Sequence, residues 1–294
     1  MNCPICYQQK FKPYLSTIDY SVSQECFDII ECEICGHKST FPLPVDLDPY
    51  YNSESYHPHE VSSGSFIEKA YRFVRTINLR LKFDQLRRLG SGLEILDYGC
   101  GTGEFLNFCK SQGFYVSGYE PNSKAGLLTS KRGITMVELN DIQKAVRKYD
   151  IISLWHVLEH IPDLNSTVEM LKRNLRPEGR ILIAVPNIQS TDSYLYSKSW
   201  AALDVPRHLH HFSPAILNRL FNNNGFVLDY RGRLLFDSFY IALLSEKYQK
   251  SGILGMARAL IYGLSSLIFG LINRDKASSM VFVFRKHPND TELS

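Results

Sequence analysis

Surplus charge of either sign is scarce in this sequence: 33 lysines and arginines face 30 aspartates and glutamates, for a formal net charge of +3. Dedicated nucleic-acid binders ordinarily show a larger or more clustered basic excess, so no nucleic-acid partner is expected. No internal repeat or low-complexity run is present. With 44% hydrophobic and 21% charged residues, the composition sits near the soluble globular average and excludes a disordered tail, a fibre and a multi-span membrane protein. The opening residues, MNCPICYQQK, hold no apolar segment of the kind a secretory signal needs. Cysteine is sparse and odd in number, and four of the 7 stand in two C-x-x-C pairs. That pattern suits metal binding in a reducing compartment better than a disulfide framework. Together these features predict a cytoplasmic protein.

What is present divides the 294 residues into unlike stretches. Residues 1–45 are cysteine-rich, with β-prone runs at Tyr14–Ile18 and Cys26–Ile30, and residues 46–62 are rich in Tyr, His and Ser. Between 65 and 89, apolar residues at Phe66, Ala70, Phe73, Ile77, Leu81 and Leu86 fall at helical spacing. From Leu93, short apolar runs alternate with helical stretches. The pattern predicts strands at Glu94–Tyr98, Tyr115–Glu120, Ile134–Val137, Asp150–Trp155, Arg180–Val185, Phe226–Leu235 and Ser279–Arg285. Helices are predicted over Gly103–Gly113, Ser123–Arg132, near Ile142–Arg147, Asn165–Leu175 and Pro214–Asn224. Such alternation means an α/β fold with a doubly wound parallel sheet. The expected organisation is a metal module at 1–45, a flap and lid helices at 46–90, and the α/β domain at 91–294. The last carries an acceptor-loop insertion at 190–213 and an apolar helical insertion at 238–276. Residues 252–272, GILGMARALIYGLSSLIFGLI, form one long apolar run of about a membrane span's length. A buried helix or helix pair is the plain expectation. A helix lying on the membrane's inner face, or walling an apolar site, is the second.

Several motifs carry chemistry. Cys3-x-x-Cys6 and Cys32-x-x-Cys35 are separated by 25 residues, and Gly36 follows the second pair. Two such turns close a four-thiolate tetrahedron around structural Zn2+, a zinc ribbon whose small core needs the ion. Cys26 and His37 stand close enough in sequence to substitute for a ligand. In Glu94-Ile-Leu-Asp97-Tyr-Gly99-Cys100-Gly101-Thr-Gly103, a strand runs into a glycine turn and then a helix, bringing backbone N–H groups to a ligand. The third glycine comes one residue too early for the dinucleotide fingerprint. Asp97 before the turn suits a cationic amino-acid group better than a pyrophosphate. Glu120, in Gly118-Tyr-Glu120-Pro121-Asn122, ends the second strand, where an acid holds ribose hydroxyls in such folds. A ribose with a cationic tail describes S-adenosylmethionine better than NAD.

At this point the sequence resembles the class I S-adenosylmethionine-dependent methyltransferases, through LDYGCGTG, GYEPN and YDIISLWHVLEHIPD, over roughly residues 65–235 and the final strand. The resemblance implies a Rossmann-like seven-stranded sheet, parallel except for a reversed last strand. It places Asp97, Gly99, Cys100, Gly101 and Gly103 around the methionine part. Glu120 and Pro121 fall at the ribose, Asn140 and Asp141 at the adenine, and Trp155 and His156 beside the sulfonium. His156-Val-Leu-Glu-His160-Ile-Pro-Asp163 is similar to phrases in small-molecule methyltransferases, including ubiquinone-type O- and deoxysugar C-methyltransferases. Asp204-Val-Pro-Arg207-His208-Leu-His210-His211-Phe-Ser-Pro lies where that class builds its acceptor pocket. His208 aligns with a catalytic histidine of the deoxysugar enzymes, while Val205 and Arg207 replace their Tyr and Glu.

The expected base is therefore His208, His160, His211 or His156, with Arg207, Tyr56 and His210 holding an anionic or lipid-linked small-molecule acceptor. No matching metal ligands stand near the 208–211 histidines in sequence, and a metal reading of that cluster is set aside. The expected reaction is methyl transfer to a sugar, glycolipid precursor or related metabolite. The alternatives are an rRNA or tRNA methyltransferase with a zinc module, which the weak basic charge disfavours, and a non-catalytic cofactor-binding scaffold.

Overall fold

Continuous apolar runs make strands that are covered on both faces, and three such runs form the middle of this protein. The computed structural model describes residues 1–51, 66–90 and 93–288, with 66–76 as backbone. In chain order the elements are β1 (Phe11–Ile18), β2 (Cys26–Cys32), β3 (Lys38–Phe41), α1 (Asp48–Tyr51), α2 (Phe66–Arg87), β4 (Glu94–Tyr98), α3 (Glu104–Ser111) and β5 (Tyr115–Tyr119). Then follow α4 (Ser123–Lys131), β6 (Thr135–Met136), α5 (Leu139–Gln143), β7 (Tyr149–Trp155), α6 (Leu164–Asn174), β8 (Leu175–Pro186) and α7 (Thr191–Tyr196). Last come β9 (His210–His211), α8 (Pro214–Asn223), β10 (Phe226–Leu234), α9 (Asp237–Tyr248), α10 (Gly252–Ile272) and β11 (Ser279–Lys286).

Seven strands form one sheet in the order β10-β11-β8-β7-β4-β5-β6. Strand β11 is antiparallel to β10 and β8, and the other pairs are parallel. The doubly wound, Rossmann-like sheet with one reversed strand is what forms. β7, β8 and β11 are its most buried strands. Strand order reverses between β4 and β7, the switch point where such sheets bind ligands beyond their carboxyl ends.

Boundaries differ from the sequence pattern where a single residue bends the chain. The short helix expected near Ile142–Arg147 forms instead over Leu139–Gln143. Ala145, with φ +50, is in the left-handed region that ends a helix. β8 starts at Leu175 rather than Arg180 and continues directly from α6. Helix starts follow local chemistry: Asp163 accepts from Ser166 N at α6, and Ser213 caps α8 just before Pro214.

Strands β1, β2 and β3 make a second sheet that gains a fourth member, β9, from far along the chain. The N-terminal knuckle docks on the large domain through Asn165 Nδ2 to Pro4 O at 2.7 Å and Asn223 Nδ2 to Ile5 O at 2.9 Å. Cys3, Ile5 and Cys32 belong to the main hydrophobic cluster with Leu164, Leu217 and Phe221. The cysteine module and the large sheet therefore share a core.

Helices α9 and α10 leave the sheet after β10 and return at β11, whose Ser279 is paired with Leu234. α10 is long and apolar enough to cross a membrane by length and composition. Its inward face is small: Gly255, Ala259, Gly263, Ser266 and Gly270. A Cβ on Gly263 would stand 2.7 Å from the Phe239 ring, so glycine lets α9 and α10 touch. Asp192 anchors the hairpin, accepting from Trp200 Nε1, Ser266 Oγ and Ser278 Oγ at 2.7–2.8 Å. The outward face carries Ile253, Leu254, Leu260, Ile261, Leu264 and Ile272, all exposed.

Candidate functional site

The four cysteines converge. Cys3 Sγ lies 3.5 Å from Cys35 Sγ, Cys6 Sγ lies 3.5 Å from Cys32 Sγ, and all four sulfurs fall within 4.8 Å of one another. Those separations are far longer than a disulfide. A thiolate tetrahedron around zinc, with bonds of about 2.3 Å, has edges of roughly 3.8 Å, so the donor set fits zinc. Cys26 is exposed, and His37 points elsewhere, its Nε2 3.1 Å from His210 Nδ1.

At the switch point, β4 delivers Asp97 to the floor of the glycine turn. Gly99 N and Cys100 N donate to Tyr119 O at 2.8 and 3.0 Å, which ties the turn to β5. Gly99 has φ +82, and a Cβ there would stand 2.5 Å from Val157 Cγ2; no other residue fits. Glu120, just past β5, grips the same turn. Its Oε2 accepts from Gly101 N at 2.8 Å and its Oε1 from Asn122 N at 2.9 Å, leaving lone pairs for a ligand. Gly103 opens α3 beside Thr129, Cys100 is buried, and Pro121 is exposed at the mouth. Asn140 and Asp141 open α5, exposed on the edge beyond β6.

Asp97 is only 3% exposed and accepts one hydrogen bond among the described residues, from Ser153 Oγ at 2.6 Å. Burial raises its pKa to about 6, against the lowering effects of Ser153 and Lys82. Holding it ionised at neutral pH thus costs about 3 kcal/mol relative to water. A carboxylate so poorly served fits the ammonium group of an amino acid, and the residues of this edge fit S-adenosylmethionine.

Trp155 packs edge-on against Phe105 at 5.1 Å, and Lys82 Nζ lies 4.8 Å above its ring. Lys82 comes from α2 and Asp237 from the start of α9. Sequence reasoning named neither, since the helical pattern of 65–89 marks only apolar positions. Burial lowers the Lys82 pKa, opposed by Asp237 and Asp97.

His156 is held in a left-handed conformation, φ +57, an uncommon state for a non-glycine residue and one often found at functional sites. Its Nε2 is 3.1 Å from Asp237 Oδ2 and its Nδ1 3.5 Å from Glu159 Oε1. Burial disfavours its charge, but the bond to Asp237 and the nearness of Glu159 outweigh that and raise its pKa to about 9. An imidazole that is already protonated cannot accept the acceptor's proton, which corrects the expectation of His156 as base.

The 204–211 segment is also corrected in part. Arg207 is fully buried, donating to Asp19 Oδ1 at 2.8 Å, Asp204 Oδ1 at 2.7 Å and Tyr50 O at 3.1 Å. Its charge ties the cysteine module to the large domain and is not offered to a substrate. His210 and His211 form β9. His210 Nε2 donates to Ile161 O at 3.1 Å, and burial pushes its pKa down to about 4. His211 Nε2 donates to Thr40 Oγ1 at 3.0 Å, since the Thr40 hydroxyl hydrogen goes to His208 O. The His211 ring is held against β3, and the His210 ring bridges His37 of the cysteine module and Ile161 in the loop before α6.

His160 and His208 remain at the edge, with ring centroids 4.6 Å apart. Burial, then His208 beside it, pushes the His160 pKa down to about 4, so its ring is neutral at physiological pH. Tyr51 Oη lies 3.0 Å from His160 Nδ1. Tyr56 lies outside the described residues. A cavity of about 910 Å3 is lined by Leu15, Ile188, Tyr194, Leu203 and Phe269.

The match to a family model points the same way. The model of a family described as "Methyltransferase domain" matches residues 67–230. A ubiquinone biosynthesis O-methyltransferase of Yersinia pestis is 30% identical over 141 residues, 44% of this chain and 57% of the relative. One from Rickettsia conorii is 25% identical over 156 residues, 48% of this chain and 52% of the relative. The chain spans about half the length of the curated relatives it matches. Among solved structures, an S-adenosylmethionine-dependent methyltransferase from Archaeoglobus fulgidus aligns with a TM-score of 0.48 and 18% identity, over 72% of this chain and 94% of its own. Another from Thiobacillus denitrificans, in complex with S-adenosyl-L-homocysteine, aligns with a TM-score of 0.46 and 15% identity, over 71% and 91%. With its glycine turn, post-strand acid and family match, the chain belongs to the methyltransferase domain family, in its class I S-adenosylmethionine-dependent form.

Proposed function

We propose that this protein methylates a small-molecule acceptor that is a sugar, a glycolipid precursor or a related metabolite, at the inner face of a membrane. The observation that carries the reading is Asp97, a buried carboxylate with one hydrogen-bond donor beneath a glycine turn at the sheet's switch point. Bound there, S-adenosylmethionine supplies an electrophilic methyl group on a positively charged sulfur. Asp97 takes the ammonium group, and the N–H groups of the turn at Gly99–Gly103 face the ligand's amino-acid end. Glu120 takes the ribose hydroxyls, Asn140 and Asp141 the adenine, and Pro121, Cys100 and Trp155 wall the pocket. In-line attack needs mainly orientation of the acceptor, and a base only where the acceptor must lose a proton. His160 and His208 stand together at this edge, their ring centroids 4.6 Å apart, where the acceptor approaches.

The four cysteines hold structural zinc, which keeps the module folded against the large domain. The names of the O-methyltransferase relatives favour a small acceptor. The exposed apolar face of α10, flanked by Arg258 paired to Glu246, supports a helix that lies on lipid and lets a lipid-linked acceptor approach. Single-turnover transfer from isotope-labelled methyl donor to extracted lipids and sugar metabolites tests the reading. Label should enter one small-molecule product with wild type and none with Asp97→Asn. Label appearing only in RNA would overturn it.

A further inference from the structure

Glu159 is fully buried, and neither carboxylate oxygen takes part in a hydrogen bond among the described residues. A buried charge is costly to keep unless something pairs with it. His156 Nδ1 approaches its Oε1 at 3.5 Å, in ion-pair range but outside hydrogen-bond geometry. His208 Nε2 lies 4.0 Å from the same oxygen. One ligating atom each from Glu159, His160 and His208 falls within 4.8 Å of the others.

The two imidazoles are held in one tautomer. His160 Nδ1 is 2.9 Å from Arg207 O, and His208 Nδ1 is 2.9 Å from Ala202 O. A carbonyl only accepts, so both Nδ1 atoms carry a hydrogen, which at His160 also faces Tyr51 Oη at 3.0 Å, and Nε2 of each ring is the atom left to ligate. Main-chain carbonyls orient metal-ligating histidines in this way. We infer that Glu159, His160 and His208 form a second metal site, taking a divalent first-row transition ion through two imidazole nitrogens and one carboxylate.

The mixed nitrogen and oxygen donor set suits manganese, iron, cobalt or zinc rather than calcium. Bonds near 2.1 Å require ligand atoms roughly 3.0–3.4 Å apart, so the side chains close by about 1 Å on the ion. Asp204 Oδ2 lies 3.9 Å from His208 Nε2, but its carboxylate accepts from Arg207 and stays outside the set. The ligands come from two segments that sequence separates and Leu209 N to Glu159 O, at 2.8 Å, joins. Three protein ligands leave positions open to an oxygen of the acceptor; that role rests on the proposed methyl transfer, whereas metal binding does not.

The test titrates the full chain, loaded with one zinc per chain at the cysteines and freed of excess zinc, with MnCl2 without methyl donor and counts bound ion by electron paramagnetic resonance. Expected is one manganese per chain, weakened 100-fold or more by Glu159→Gln and by His208→Gln with circular dichroism unchanged. Should Glu159→Gln fail to fold, His208→Gln decides. CoCl2 should add weak d–d absorption without the sulfur-to-metal charge-transfer band that the cysteine site would give. No manganese or cobalt beyond the cysteine-bound ion, or uptake indifferent to His208→Gln, overturns the site. S-adenosylhomocysteine titrated in parallel separates the two readings. Metal uptake without nucleoside binding sinks methyl transfer alone, and nucleoside binding without metal uptake sinks the metal site alone.

Discussion

Cofactor affinity should fall by about tenfold between pH 7.5 and pH 5, and Asp97 is the reason. Its burial places the carboxyl pKa near 6 in the free chain, while the ammonium of the methionine moiety stays protonated below about pH 7.7. That ammonium pairs only with the ionised form. At pH 5 about one Asp97 in ten is ionised, which weakens binding by about 1.4 kcal/mol, and binding below pH 6 must release a proton. In the free chain the sign is opposite. A raised carboxyl pKa contributes stability at low pH that is lost as pH rises through about 6, and Asp97→Asn should remove that fall. The assay is calorimetric titration with S-adenosylhomocysteine across pH 5–7.5, with circular dichroism to show that the cysteine module stays folded. Asp97→Asn should bind at least tenfold more weakly at pH 7.5 and show a flat profile. Ser153→Ala, which removes the 2.6 Å donor, should move the midpoint above 6. Wild-type affinity that is level from pH 5 to 7.5, or Asp97→Asn matching wild type, would refute the reasoning.

Gly99→Ala places a Cβ 2.5 Å from Val157 at φ +82 and should abolish nucleoside binding. Gly101→Ala, with nothing within 4 Å of its Cβ, should lose only the roughly 1–2 kcal/mol that a left-handed residue costs; calorimetry compares them. Arg207→Met leaves the buried Asp19 without its counter-ion and should lower stability by about 3–5 kcal/mol, with partial recovery in Arg207→Met/Asp19→Asn, read by denaturant unfolding. Cys32→Ser or chelation should lower the melting temperature of the whole chain in a single transition, because Cys3, Ile5 and Cys32 sit in the main core. Two separate calorimetric transitions would contradict that. Leu260→Glu/Leu264→Glu on the exposed face of α10 should release the protein from vesicles containing anionic lipid while leaving nucleoside affinity unchanged, as measured by co-sedimentation and calorimetry.

How much of this could be read in advance follows from distance along the chain. The glycine turn, Glu120 and the cysteine pairs are local patterns whose chemistry needs a fixed spacing, and the structure brings each together as read. The strand alternation likewise announced the sheet, because a strand buried on both faces has to be continuously apolar. The fate of 204–211 was hidden, since Asp19 lies 188 residues from Arg207, and the pairing of β9 with β3 turns His210 and His211 into structural groups. Glu159 and His208 meet only through that fold. Lys82 and Asp237 sit on helices whose apolar positions dominate the pattern and mask the charges that reach the edge.

The central claim is that the turn at 99–103, Asp97 and Glu120 form one pocket for a sulfonium nucleoside. Equilibrium dialysis of zinc-loaded protein with labelled S-adenosylmethionine at pH 7.5 tests it most directly. One molecule retained per chain, and little retained by folded Glu120→Ala, is the expected outcome; folded wild-type protein that retains none contradicts it.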